Sequence, residues 1–316
     1  MRTQLPLALL ATALLCLLLA APALAQRARV FVSVSGVDGN PCTALSPCRT
    51  FQFAHDAVAA DGEIDVLDTG GYGPIEISKA ISILNPTGVA ASIAVGSGGT
   101  AINVTAGPSD VISLRGLTLD GNGVGAVGVM FNAGGALEIA DCVVRNYTDS
   151  GVAFVPLNSS TLAMSNVSIS GIRQGIDIAP FSDNKNLSVT LNRVELRNTG
   201  IAGLEISSNN QTGGTIDVRV VDSILTNNTQ FGVDVGTFAV TDPRIDVFFL
   251  RSVAAKNGIG VNTTGPQTTI RIAESQLTSN AQGYGAGNGS AVFSYGNNFI
   301  DNNGVVNFAP PGIPMK

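Results

Sequence analysis

The chain has 316 residues, 45% of them hydrophobic and 13% charged, a balance that suits one or two folded domains and is too apolar for a disordered polymer. Its formal net charge of −6, from 17 Lys and Arg against 23 Asp and Glu, lacks the basic surface that phosphate binding needs, so nucleic acid is not an expected partner. With 37 glycines, 5% aromatic residues and no tryptophan, the core must be built from small aliphatic side chains.

Residues 1–25 have the pattern of an export signal: Arg2 precedes an apolar run over 5–20, and Ala23-Leu24-Ala25 forms a small-x-small cleavage box. The run is short for a membrane span and is broken by Pro6 and Pro22, so no transmembrane segment is expected after cleavage. Leu15 before Cys16 does not suit lipid attachment. The expected location is periplasmic or secreted, where disulfides persist. Cys42 and Cys48 flank a short Pro- and Ser-containing loop and are expected to pair, whereas Cys142 lies beside Val143 in a strand-like segment and reads as a buried small residue.

Residues 26–110 form an N-terminal cap and first irregular coils. RVFVSVSG at 29–36 is a strand and turn, and FQFAHDAVAA at 51–60 is a short helix with Phe53, Ala54, Ala57 and Val58 toward one side. The only histidine, His55, is expected to be a partly exposed residue of that helix. Segments 64–73 and 75–84 return to strand alternation. A helix placed here would hide the open end of a stack of strands.

From 111 to 306 the sequence repeats: LRGLTLDGNG at 114–123, IADCVVRNYTDSGVAF at 139–154, MSNVSISGIRQGIDI at 164–178, LNRVELRNTGIAGLEI at 191–206, and four further copies to residue 304. Leu117, Val143, Val167, Val194, Ile224, Val253, Leu277 and Phe299 mark matching apolar positions, 22 to 30 residues apart. No copy holds ten residues of helical periodicity, so each reads as one coil of short strands. Strands that alternate apolar-in and polar-out cannot bury their inner faces alone, and stacking coils about 4.8 Å apart solves this. The fold class is therefore all-β, a single-stranded parallel β-helix solenoid with an N-terminal cap containing a short helix, and 307–316 is a C-terminal tail over the last coil. Asn146, Asn198, Asn227, Asn228, Asn257, Asn280, Asn302 and Asn303 follow the markers and suit left-handed corners and coil-to-coil pairing.

One outward row carries the candidate chemistry. In GIDI, GLEI and GVDV the residue two beyond Gly175, Gly203 and Gly232 is Asp177, Glu205 and Asp234, and Asn262 follows in the next coil. Three carboxylates in one column would repel, raise one another's proton affinity, and suit a calcium ion or acid/base work on a sugar ring. A second, shorter row holds Asp217 and Asp246, with Arg193 and Arg251 available to neutralise charge or hold a uronate. GVGAVG at 123–128 lacks the strand-turn-long-helix setting of a nucleotide site, so no organic cofactor is expected.

The cap pattern VSVSGVDGNPCTALSPCRTFQFAHDAVAADGEIDVLDTGGYG, followed by these coils, resembles the right-handed parallel β-helix proteins of the pectate-lyase-like superfamily over nearly all of the chain after residue 25. The resemblance implies a right-handed solenoid, and activities on polysaccharides that include lyases, hydrolases, esterases and epimerases, beside adhesins. A lyase of this kind would set an arginine or lysine base beside calcium-binding carboxylates, for which Arg173, Arg193, Arg219 and Arg251 are the central candidates. The adjacent-aspartate and His-Gly elements of its hydrolases are absent, and Asp242-Pro243 is followed by Arg244 where an epimerase-type element needs histidine. The expectation is an exported β-helix protein that binds an extracellular or cell-envelope polysaccharide or surface partner without evident catalysis. The alternatives are a uronate-polymer lyase using Asp177, Glu205 and Asp234 with Arg173 or Arg193, and a purely structural surface protein.

Overall fold

The computed structural model describes residues 27–305 and 309–314, so the proposed export signal lies outside the described residues. The chain is a parallel β-solenoid of about 10 turns, with one short helix among the described residues. Each regular coil has three faces. Two are joined in a 19-stranded sheet and the third forms a nine-stranded sheet. The strand Ser160–Ser170 shows the joint: its first half pairs with Ala136–Ala140 and its second with Val143–Arg145.

Inward stacks from all three faces fill the core. Ile112, Leu137, Leu162, Val189, Val218, Val247, Ile270 and Val292 are in register on the first face. Leu119, Val144, Ile169, Leu196, Leu225, Ala254, Leu277 and Ile300 follow on the second. Ile102, Val129, Val152, Ile176, Leu204, Val233, Val261 and Tyr284 line the third. Each fully buried Leu, Ile or Val contributes about 1.5–3 kcal/mol of transfer free energy, and alternation sends the intervening polar residues outward.

The markers read from the sequence mix two phases of this pattern. Val167 and Val194 are in register and buried, but Ile224 sits beside Glu195 and is exposed, as are Val143 and Phe299. In a strand a shift of one residue reverses every side chain. The inward residues of those coils are Val144, Leu225 and Ile300, one position later.

Two polar columns turn the corners. Between the first and second faces, Asp141, Asn166, Arg193, Asp222, Arg251 and Glu274 adopt positive φ. Just beyond them the hydroxyls of buried Ser223, Ser252 and Ser275 accept backbone N–H bonds from Val194, Ser223 and Ser252 at 3.0–3.1 Å. At the next corner the asparagines divide. Asn146, Asn198, Asn227 and Asn302 hold the left-handed position. Asn228, Asn257, Asn280 and Asn303 instead stack as a ladder, in which each of the first three donates its side-chain amide N–H to the Oδ1 of the next. Those inner amides also cap carbonyls of the core strands, Leu225 O by Asn257 and Ala254 O by Asn280. Backbone groups that the turn would orphan are thereby satisfied.

The N-terminal part begins with the strand Arg27–Val32, parallel to Val58–Val66, and the helix Phe51–Ala57 packs against these strands and Ile75–Ile77. Thr50 caps the helix by accepting from Phe53 N–H at 3.2 Å, and Asp38 holds the Arg49 and Thr50 amides. The helix is shorter than expected because Val58 turns to extended backbone and starts the strand. His55 is buried, not partly exposed: its Nε2 accepts from Ser78 N–H at 3.2 Å, and Nδ1 meets Asp56 at 3.0 Å. Cys42 and Cys48 form a disulfide, and Cys142 is buried and free, its thiol pushed up to about 11 by desolvation. Cys142 is buried as the sequence suggests, and its carbonyl accepts from Ser168 N–H of the next coil at 3.1 Å. The described tail bonds to the last coil through Ser294, whose N–H reaches Pro311 O at 3.0 Å.

Candidate functional site

The acidic row exists and is in register. Asp177 pairs with Glu205 and Glu205 with Asp234, on the strands Gln174–Ile178, Ala202–Ser207 and Phe231–Gly236 of the nine-stranded sheet. Each strand is entered through a glycine set against the next coil. A Cβ on Gly232 would lie 2.4 Å from Gly260 O and 3.0 Å from the Asn257 amide nitrogen, so only glycine lets the coils close to this distance. The buried asparagine ladder and the glycine column therefore fix where the carboxylates stand.

All three carboxylates are half-buried. Burial pushes Asp177 up to about 6, with the charges of Glu205 and Asp149 adding to the shift and Arg173 opposing it. Asp234 is raised for the same first reason, although Asn262 donates to it at 2.8 Å. Glu205 accepts from the Gln174 side-chain amide. Arg173 donates to Asp149 at 2.9 Å and to Gln174 at 2.8 Å, so a continuous network runs from Asp149 through Arg173 and Gln174 to Glu205.

Of the residues picked out in the sequence, Asp177, Glu205, Asp234 and Arg173 come together, and Arg193 does not. Arg193 occupies a corner of the larger sheet and donates to Asn166 at 2.6 Å, and Arg251 stands on the same corner column against Asp222 at 2.7 Å. The calcium expectation meets no assembled ligand set. Glu205 and Asp234 are drawn to different neighbours, and among the described residues no group of three or more His, Cys, Asp or Glu side chains is gathered to hold a metal ion.

Aromatic residues complete the face at one edge. Phe181 and Phe238, four residues beyond Asp177 and Asp234 in the loops that leave their strands, are 53% and 74% exposed. Tyr72, Tyr147 and Phe154 are core side chains. In the other direction the row runs into Ala153 and Met130, which pack with Val127, Val155 and Ala179 in a small apolar cluster outside the main core, and then into Asn103 and Glu76.

A parallel β-solenoid with these three faces per coil is the fold of the right-handed, pectate-lyase-like β-helix proteins. The structure of XylC with xylose superposes with a TM-score of 0.63 at 9% identity, covering 84% of this chain and 68% of that one. Pectate lyase Pel9A gives 0.55 at 14% identity, over 84% and 67%, and a rhamnogalacturonan lyase 0.51 at 11%, over 91% and 85%. At these identities the likeness is one of fold. The sequence matches no protein-family profile and no curated protein sequence. Among the described residues no helix is long and apolar enough to cross a membrane.

Proposed function

We propose that this is an exported protein that binds a hydroxyl-rich polysaccharide along the outer face of its nine-stranded sheet. The observation that carries this reading is the in-register column Asp177, Glu205 and Asp234, half-buried and short of cationic partners, with exposed Phe181 and Phe238 in the loops that leave two of its strands. Desolvated carboxylates gain most from O–H donors, and sugar hydroxyls supply a row of them, while the C–H faces of the sugar ring suit the phenylalanines. Export rests on the pattern of residues 1–25 and agrees with the disulfide in the cap. The names of the similar structures, which include xylose and two polysaccharide lyases, point to the same ligand class.

A catalytic second reading rests on Asp177 alone. A carboxyl that titrates at about 6 is protonated often enough near neutrality to donate to a leaving oxygen. Arg173, committed to Asp149 and Gln174, is not a free base. The test is a screen of the protein lacking residues 1–25 against neutral and uronate polysaccharides, with and without calcium, following binding by calorimetry and chain cleavage by reducing-end and unsaturated-product assays. Calcium-independent binding without cleavage, lost in Asp177→Asn and Phe238→Ala, is the expected result. Cleavage lost in Asp177→Asn would establish the second reading, and no binding to any polymer would refute both.

A further inference from the structure

The nine-stranded sheet ends at Ile75–Ile77, which has one strand partner among the described residues, Thr100–Thr105. A terminal strand turns a row of backbone groups away from its neighbour, and a bare row recruits other chains. Here the helix Phe51–Ala57 meets that row with side chains. Gln52 Oε1 accepts from Glu76 N–H at 2.8 Å, and His55 Nε2 accepts from Ser78 N–H at 3.2 Å. Residues three apart on the helix thus take N–H groups two apart along the strand, the spacing at which each presents one side.

Asp56 ties the two acceptors together. Its Oδ1 lies 3.1 Å from the Gln52 amide nitrogen and 3.0 Å from His55 Nδ1. This network fixes the imidazole: Nε2 faces an N–H donor and must hold its lone pair, so the ring proton sits on Nδ1 and points at the carboxylate. His55 is 5% exposed, whereas the Asp56 side chain is 64% exposed. Two further charged residues flank the contact on the strand side. The exposed Glu76 carboxylate accepts from Asn103 at 2.6 Å, and Lys79 donates to Val58 O at 2.6 Å just past the end of the helix.

A second proton on the ring can go only to Nε2, where it turns a buried acceptor into a donor aimed at another donor. The Nδ1 bond to Asp56 is the same in both states, and water screens the attraction of that exposed carboxylate for an imidazolium. Lys79 adds a like charge one residue beyond Ser78. We propose that His55 is an acid-sensitive latch: the neutral ring holds the helix over the edge of Ile75–Ile77, and the imidazolium releases it, freeing the Glu76 and Ser78 N–H groups to pair with another strand. The open form takes up a proton that the closed form excludes, so closure is complete at high pH and is lost as pH falls through the range in which imidazoles titrate. The latch stands whatever the acidic row binds.

The test is amide hydrogen exchange of the intact protein at pH 8 and pH 5, corrected for the intrinsic pH dependence of exchange. Protection at Glu76 and Ser78 should fall by about tenfold or more at pH 5, while Leu204 in the interior of the same sheet keeps its own. His55→Gln, which offers an amide oxygen and does not titrate, should give Ser78 the same protection at both pH values. The nitrogen NMR spectrum of the single histidine supplies a readout that needs no variant, and at pH 8 it should show the proton on Nδ1. A proton on Nε2 at pH 8 would overturn the proposal. So would equal protection of Ser78 at both pH values in the unaltered protein, or a loss at pH 5 that is as large in His55→Gln.

Discussion

On the larger sheet, carboxylates meet arginines one coil away: Asp120 with Arg145 at 2.8 Å, Asp222 with Arg251 at 2.7 Å and Asp246 with Arg271 at 2.6 Å. On the nine-stranded sheet, three carboxylates stack on one another, and the nearest arginine is taken by Asp149. The same architecture thus compensates charge on one side and concentrates it on the other. A solenoid repeats its geometry, so any outward column can be neutralised by choosing residues in the next coil. A column left uncompensated costs stability, and such costs are retained where they serve binding or catalysis.

The largest expected effect removes the frame that both faces share. In Asn257→Ala, the Asn228 amide groups lose their acceptor and Leu225 O loses its donor, all of them buried. Each buried group left unpaired costs about 1–3 kcal/mol, so the fold should lose about 3 kcal/mol in denaturant unfolding. Binding at the acidic face should weaken with it. A loss confined to one sheet would show that the ladder is not the common support.

Next in size is a pair of identical substitutions with opposite signs. The native Asp177 carboxyl titrates at about 6, above its ordinary value, so between about pH 4 and 6 the folded chain keeps a proton that the unfolded chain has released. Stability from this group therefore falls as pH rises through that window and stays low above it. Asp177→Asn should then stabilise the protein by about 2 kcal/mol at pH 7.5 and leave it unchanged near pH 4. Asp246→Asn works in reverse: it strips Arg271 of its carboxylate and leaves Arg244 only the longer contact with Asp217, and should cost about 1 kcal/mol at pH 7.5. Melting both variants at the two pH values tests the contrast, and equal signs at pH 7.5 would remove it.

Much of this was legible in the sequence. A period near 26 with alternation and no helical stretch gives the solenoid, and Gly-x-Asp or Gly-x-Glu in three successive copies gives the acidic column because glycine marks the same point of each coil. Phase was harder. Ile224 and Leu225 are adjacent apolar residues, and only the corner geometry around Ser223, which takes the place of Val194, decides which one points inward. The asparagines split into corner and ladder roles for the same reason: Asn227 and Asn228 are neighbours with different backbone angles and different burial. His55 misled through its surroundings, since the strand that buries it lies more than 20 residues further on.

The smallest effect is the most discriminating for the larger sheet. Asp222 and Arg251 make a two-point contact at 2.7 and 3.1 Å on the corner column, with side chains 39% and 48% exposed. The arginine holds the Asp222 carboxyl below its usual range, yet water screens a pair so placed, and its ordering entropy offsets the attraction. Asp222→Asn should leave the denaturation midpoint where it is, in low and in high salt, while the buried hydroxyl of Ser223 beside it keeps the corner closed. Should the midpoint fall as far as it does in Asp246→Asn, the exposed pairs, and not the polar ladders beneath them, would be what holds the coils in register. Charge compensation would then be a structural necessity everywhere, and the bare column at Asp177 would need a bound cation or ligand for the fold to persist.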